Sequence, residues 1–257
     1  MARGFNGSTQ YLEHAAAARS SFPVTICCAF RIVSVTGRSI GLCCYAGSGP
    51  SLIGVEYLGS GIVAGYGWRA VAVSTASTAS ERRSAANTTA GWHYVSASWS
   101  AITAAPTMYV DGAAIAGTAL TGSGTVSATL TGIGAYLFQG VRGYGGDEVA
   151  ECAIYSSEWS VGEHIAFTRG LRTPDQISRD SLLGYWPLGG RYGQSDRDRW
   201  RNGYDMTANN TPTWVTHARV IYPQPMGLPV NTTGGGGGGV ASRPYAWQSA
   251  RMIGAGR

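Results

Sequence analysis

The chain contains no lysine: all 19 of its Lys-or-Arg positions are arginine. A GC-rich coding sequence accounts for that absence, and arginine's planar fork of donors tolerates interfaces better than an ammonium. Charge is sparse, 13% of residues with a net of +5. That excess is too dilute for a nucleic-acid footprint, and no basic stripe alternates with aromatics. No run of about eighteen apolar residues occurs, so no membrane-spanning helix is expected. The opening "MARGFNGSTQYLEHAAAARSS" has no apolar h-region, so the expectation is a protein made in a cytoplasm without a secretory signal. Helix formers are poorly clustered; beyond Ala15–Ala18, "SVGEHIAFTRG" (160–170) is the helix-like run.

Zinc-type cysteine spacing is missing too. Four of the five cysteines form two doublets, Cys27-Cys28 and Cys43-Cys44, and the fifth is Cys152. Adjacent cysteines do not reach one tetrahedral site, and buried thiols behave as small hydrophobes, so reduced core cysteines are expected. "VTICCAFRIVSVTGRSIGLCCYAG" reads as two strands around a turn at Val35–Gly37. That turn would set Cys27 opposite Cys44 and Cys28 opposite Cys43, with one pair pointing inward and one outward. His14, His93, His164 and His217 are isolated, and no two have metal-ligand spacing. No metal and no cofactor is expected.

What is abundant is glycine, 38 residues, with Ser, Thr and Ala. Runs of about six strand-forming residues alternate with Gly/Ser/Thr turns: "FPVTICCAFRIV", "SIGLCCYAG", "LIGVEYLG", "GIVAGYGWRAVAVS", "GWHYVSASWS", "PTMYVDGAAIAG", "TLTGIGAYL", "DEVAECAIYS" and "SLLGYWPLGG". Asp111-Gly112 marks the clearest hairpin. The pattern predicts an all-β sandwich. "WVTHARVIYPQPMGLPV" is extended and punctuated by proline, and six consecutive glycines, 234–239, follow it.

"FNGSTQYLE", "GWHYVSASWS", "MYVDGAAIAG", "GIGAY" and "GDEVAECAIYSSEWSVGEHIAFTRG" occur in the order of a laminin-G-like, concanavalin A-like jelly roll, which residues 4–170 resemble. "SLLGYWPLGG", "RNGYDMTANNTPTW" and "ARVIYP" resemble the ending of bacteriophage-encoded members of that group. The resemblance implies a concanavalin A-like jelly-roll β-sandwich over residues 1–222. A Pro/Gly-rich linker and extended C-terminal arm, 223–257, follow it. The N-terminal strand is expected to pair beside "DEVAECAIY" or "LLGYWPL", closing a sheet edge.

Catalysis is not expected. Retaining glycosidases need two carboxylates about 5 Å apart. Asp147 and Glu151 share a strand face but stand ~13 Å apart in an extended strand. Glu148 points away, and Asp147 and Glu148 are expected to be solvated at a turn and edge. Relatives bind calcium near a loop rim, but Asp111 is already explained by its turn. Glycan binding is the better candidate. Trp92, Trp99 and Trp186 lie in strand patterns and are expected in the core, whereas Trp68, within "GYGWRA", and Trp200, within "DRDRWRNG", are the expected exposed glycan or interface rings.

The arm combines Arg243, Arg251 and Arg257 with Tyr245, Trp247, Met252 and Ile253, without an acidic residue. It suits docking into a groove or onto a sheet edge. The partner-binding residues expected there are Arg243, Tyr245, Trp247, Arg251, Met252 and Ile253. With the phage resemblance, this implies a non-enzymatic virion structural protein, a capsid decoration or cement protein fastened by its arm. Its expected partners are capsid or tail subunits, further copies of itself, and surface glycans; no nucleic acid or membrane is expected. A glycan-binding tail or fibre adhesion module is the second reading, and a glycoside hydrolase the third.

Overall fold

The computed structural model describes residues 2–85, 89–139, 141–188, 198 and 203–215. Met1–Tyr222 make up one compact unit. Residues 223–257 lie outside the described residues, and so do Trp200 and the arm positions Arg243, Tyr245, Trp247, Arg251, Met252 and Ile253.

Among the described residues there are eighteen strands and one α-helix. The strands are β1 (Ala2–Gly4), β2 (Tyr11–His14), β3 (Val24–Ile32), β4 (Arg38–Tyr45), β5 (Leu52–Leu58), β6 (Tyr66–Val73), β7 (Ala79–Ala85), β8 (Gly91–Trp99) and β9 (Thr107–Val110). They continue as β10 (Ala113–Ala114), β11 (Ala119–Leu120), β12 (Leu130–Ile133), β13 (Ala135–Phe138), β14 (Val141–Tyr144), β15 (Glu148–Tyr155), β16 (Leu182–Trp186), β17 (Thr207–Asn209) and β18 (Thr213–Val215). Helix α1 (Val161–Thr168) lies between β15 and β16.

Two eight-stranded sheets pack face to face. The first runs β10-β9-β8-β3-β15-β1-β18, with β16 also on β15; the second runs β11-β7-β6-β5-β4-β12-β2-β17. A two-stranded ribbon, β13–β14, forms a third, small sheet on the outer face of the second. The fold is an all-β sandwich, as the strand pattern predicts, and of the jelly-roll kind that the resemblance implies.

Alternation explains the apolar runs. In β3, Val24, Ile26, Cys28, Phe30 and Ile32 enter the core between the sheets, while Cys27 faces outward. There Cys27 meets Tyr155, Trp159, Phe167 and Leu182 beneath α1. In the second sheet Ile53, Val55, Trp68, Ala70 and Ala72 point inward, whereas Ile40, Cys43, Tyr45, Leu52, Val71 and Val73 lie beneath the ribbon's Tyr136. Strands buried on both faces therefore read as nearly continuous apolar runs. Each fully buried Phe, Leu or Ile contributes roughly 1.5–3 kcal/mol, which makes the intersheet cluster the main holding force.

Local signals act as expected at three places. Ser160 caps α1 in a reciprocal capping box with Glu163, whose carboxylate accepts from the Ser160 N–H at 2.7 Å. Asp111 and Gly112 both take positive φ, 50° and 84°, turning β9 into β10. Strand β1 pairs with β15, and with β18 on its other side.

The doublets do not face each other across a hairpin. Strand β3 lies between β8 and β15, and β4 between β5 and β12, so the chain crosses from one sheet to the other after Ile32. The crossing lets each strand bury both faces, which a shared hairpin edge would not. The alternation itself holds: Cys28 and Cys44 enter the intersheet core, Cys27 and Cys43 the outer clusters. All five cysteines are free and buried. Cys28 also has a polar duty. Its Sγ accepts the Leu42 N–H at 3.1 Å, where a bulge between Ile40 and Cys43 interrupts the β4–β5 ladder.

Candidate functional site

At one end of the sandwich, β6, β7, β8 and the β9–β10 hairpin enclose an open cleft of ≈ 440 Å³. Trp68, Ser84, His93, Asp111 and Ile115 are among its walls. Trp68 is not the exposed ring expected from its glycine-flanked sequence; it is 3% exposed. Alternation along β6 turns it inward with Ala70 and Ala72, and its ring packs 5.2 Å from Phe30 and 5.0 Å from Tyr57.

His93 is not isolated either. It lies 5.4 Å from the Trp68 ring and pairs through Nδ1 with Asp111 Oδ2 at 2.6 Å. Its Nε2 lies 3.1 Å from the Thr89 carbonyl. Both neighbours are acceptors, so both ring nitrogens are called on to donate, which favours the imidazolium. The Asp111 hydrogen bond accordingly raises the His93 titration above the usual range, against the opposing effect of burial. Asp111 is positioned by its own turn and by the Tyr94 N–H, which donates to Oδ1 at 2.9 Å. Half of the Asp111 side chain remains open to solvent, so the cleft offers a carboxylate held by a ring cation, with the buried Trp68 ring behind them.

His164 is buried as well. It hydrogen-bonds Ser96 and Ser98 at 2.7 and 3.0 Å and stacks 4.7 Å from Tyr109. Burial pushes its titration down to about 4, so it is a neutral core group.

The carboxylates of "GDEVAE" occupy three separate surroundings. Asp147 is 5% exposed rather than solvated, and accepts from Ser39 Oγ and the Val33 N–H. Burial raises its titration against those bonds. Glu148 pairs with Arg31 at 2.8 Å. Glu151 sits at a bulge with φ 50° and accepts from the Tyr185 hydroxyl. The bulge breaks the strict alternation on which the sequence reading relied. Among the described residues no three His, Cys, Asp or Glu side chains gather in a metal-sized group.

A second constellation lies on the outer face of the second sheet, and the sequence reading missed it. Arg38 on β4 donates to Glu56 Oε2 on β5 from Nε at 3.0 Å and Nη2 at 2.7 Å. Glu56 Oε1 accepts from Arg69 Nη1 on β6 at 2.9 Å. Arg69 also meets Glu81 Oε2 on β7, at 2.8 Å from Nε and 2.7 Å from Nη2. Arg83 Nη2 stands 2.5 Å from Glu81 Oε1, without the direction of a good hydrogen bond. Each end of the row is closed by a phenol ring. Arg38 lies over Tyr136 at 5.0 Å and donates to its hydroxyl, and Arg83 lies over Tyr66 at 4.7 Å. Register builds the row, setting Glu56 opposite Arg69 and Arg69 opposite Arg83. The signal available in the sequence was a lone charge inside each apolar run, Glu56 in "LIGVEYL" and Arg69 in "YGWRAVAV".

Of the remaining tryptophans, Trp99 and Trp186 are fully buried, as expected, and Trp92 is half-buried. Trp214 on edge strand β18 is 44% exposed beneath the Arg3 guanidinium, 3.4 Å away.

No protein-family model and no curated protein matches the chain. Solved structures do. A candidate carbohydrate-binding protein from Bacteroides ovatus superposes with a TM-score of 0.55 at 13% identity, over 83% of this chain and 59% of that one. The chain thus spans less than two thirds of that protein's length. The CBM40 module of the Ruminococcus gnavus IT-sialidase, solved with α2,3-sialyllactose, gives a TM-score of 0.49 at 13% identity, over 65% of this chain and 96% of that one. A heptameric SAP-like pentraxin from Limulus polyphemus gives 0.46 at 11%, over 66% and 82%. At such identities the likeness is one of fold. The chain has a jelly-roll β-sandwich fold.

Proposed function

We propose that this chain is a non-enzymatic recognition module that binds a saccharide in the cleft at the end of the sandwich. The observation that carries the reading is the ≈ 440 Å³ cleft in which the His93–Asp111 pair meets the Trp68 ring. That volume falls in the range of small-ligand sites, roughly 300–1,000 Å³. Asp111 accepts from sugar hydroxyls, the Ser84 wall adds a hydroxyl, and Ile115 supplies apolar contact for a pyranose face, with the buried Trp68 ring backing the cleft. The Bacteroides ovatus protein of the same fold, described as a candidate carbohydrate binder, supports the direction. The carboxylates in their separate surroundings hold structure, which suits a binder rather than a glycosidase.

The test is a glycan array followed by calorimetry on the best hit. Asp111→Asn removes the carboxylate while keeping the turn, and an affinity loss of tenfold or more is expected. Unchanged affinity of a folded Asp111→Asn protein removes the cleft from consideration.

A second reading rests on the arm. Its arginines and aromatics, Arg243, Tyr245, Trp247 and Arg251 with Met252 and Ile253, lack any acidic neighbour from 234 to 257. In this reading the module is a bacteriophage decoration or cement subunit, tethered to a capsid or tail lattice and to its own copies, and it displays the sandwich outward. Tethering raises the effective concentration of a weak globular contact. Co-sedimentation with stripped particles decides it: the full chain binds, and a chain ending at Val230 does not.

A further inference from the structure

The arginine–glutamate row on the outer face of the second sheet takes no part in the cleft. Stability does not explain it, because a buried ion pair is often matched or bettered by apolar residues of similar volume. Its carboxylates are turned inward onto arginine: both oxygens of Glu56 accept from Arg38 and Arg69, and Glu81 accepts from Arg69 through Oε2 with Arg83 close to Oε1. Its cations are less fully engaged. Three guanidiniums against two carboxylates leave one positive charge in excess. Among the described residues nothing accepts from Nη1 of Arg38 or of Arg83, and Arg83 Nε has no hydrogen-bond partner.

Access and shape agree. The side chains of Arg38, Arg69 and Arg83 keep 24, 19 and 24% of their surface open, while Glu56 and Glu81 keep 3 and 1%. An arriving ligand therefore meets guanidinium edges with the carboxylates beneath them. The row crosses four adjacent strands, about 14 Å at ~4.8 Å per strand, the reach of a short oligosaccharide rather than one small ion. Tyr66 and Tyr136 flank it and hold the terminal arginines flat, which presets the fork that recognises planar anions.

We propose that this face binds an anionic saccharide, one bearing carboxylate or sulfate groups, with Arg38 and Arg83 as the anchoring cations, held in place by the Tyr136 and Tyr66 rings against which they lie. The site is separate from the cleft and stands whether or not the cleft binds a neutral sugar.

The test uses the full chain and two probes, a short oligogalacturonate for carboxylate and a low-mass dextran sulfate for sulfate, with a malto-oligosaccharide as the neutral comparison. Arg83→Gln is the principal variant, because Arg83 is the least committed cation. Tyr66→Ala leaves every ion pair in place and provides a second variant with little risk to folding. Arg31→Gln, on the other sheet, lowers net charge by the same unit. The expected result is binding of at least one anionic probe, weakened tenfold or more by Arg83→Gln and several-fold by Tyr66→Ala. Arg31→Gln and Asp111→Asn leave it unchanged, and the thermal midpoints stay near wild type. Equal weakening by Arg83→Gln and Arg31→Gln reduces the effect to general charge attraction and overturns the proposal. So does the absence of binding to both anionic probes at millimolar concentration.

Discussion

Replacing Arg69 with methionine gives the sharpest test of how the second sheet is held. Arg69 is the only link between Glu56 and Glu81 in the row, and it touches both. Methionine keeps most of the stem's apolar contact, so the change isolates the charge. Glu56 then retains Arg38, and Glu81 retains the poorly directed contact from Arg83. Both carboxylates are almost wholly buried, and breaking a buried pair by removing one partner costs about 3–5 kcal/mol. That is a large part of the roughly 5–15 kcal/mol by which domains are stable. Arg31→Met, which removes the half-exposed Arg31 guanidinium from Glu148, should cost no more than about 1 kcal/mol. Urea unfolding followed by tryptophan fluorescence measures both, since Trp68, Trp99 and Trp186 are buried reporters. Urea is preferred to guanidinium because it leaves ion pairs unscreened. The midpoint should fall at constant slope. Adding Glu81→Gln to Arg69→Met should recover part of the loss, as a double-mutant cycle resolves. A cost for Arg69→Met below about 1 kcal/mol, or equal to that of Arg31→Met, refutes the claim that these carboxylates depend on their arginines.

Other outcomes follow from the remaining contacts. Because His93 titrates higher in the folded chain, its pairing with Asp111 contributes stability below about pH 6.5, the unfolded imidazole value, and loses it as pH rises through the folded value; urea midpoints from pH 5.5 to 9 should show this slope in wild type and lack it in Asp111→Asn. Trp68→Ala should cost about 3–5 kcal/mol in a melting experiment, so any loss of ligand binding in that variant reports unfolding rather than a missing contact surface. Gly134→Ala sets a β-carbon 2.7 Å from the Phe5 ring at φ +80°, and a drop in thermal midpoint equivalent to about 1–3 kcal/mol is expected. The five thiols are buried, and burial pushes Cys27, Cys43, Cys44 and Cys152 above their ordinary titration. A thiol-reactive dye at pH 8 should therefore label none in the native chain within minutes and all five in denaturant.

Where a structural rule is local, the sequence exposes it. Asp111-Gly112 specifies its hairpin, and Ser160 with Glu163 specifies the start of α1. Alternation correctly sends one cysteine of each doublet inward. Pairing is another matter, because the order of strands across a sandwich is decided by which faces remain to be buried. The two cysteine runs therefore read as a hairpin when they belong to opposite sheets. Strand β7, "ASERRSA", has no apolar alternation; its polarity makes sense only once Glu81 and Arg83 are seen beside Arg69. The same holds for the cleft, where His93 and Asp111 meet because β8 pairs with β9. Trp68 misled the reading because its flanking glycines suggest a loop, while β6 begins at Tyr66.

Of the described strands β1 is made before the others, yet it has no place to rest until late. Its neighbours are β15 and β18, so Arg3 must find Val149 on one side and Trp214 on the other. Closing such a span is slow, since the entropy of a long loop is lost before the contacts that offset it form. The nascent chain thus carries β1 unpaired until β15 emerges, and an open edge on β1 from then on. Completion of the sheet is withheld until residues 213–215 emerge. A chain that stalls or is cut before Thr213 exposes a strand edge ready to pair with another copy, which makes truncated products of this protein self-associating ones.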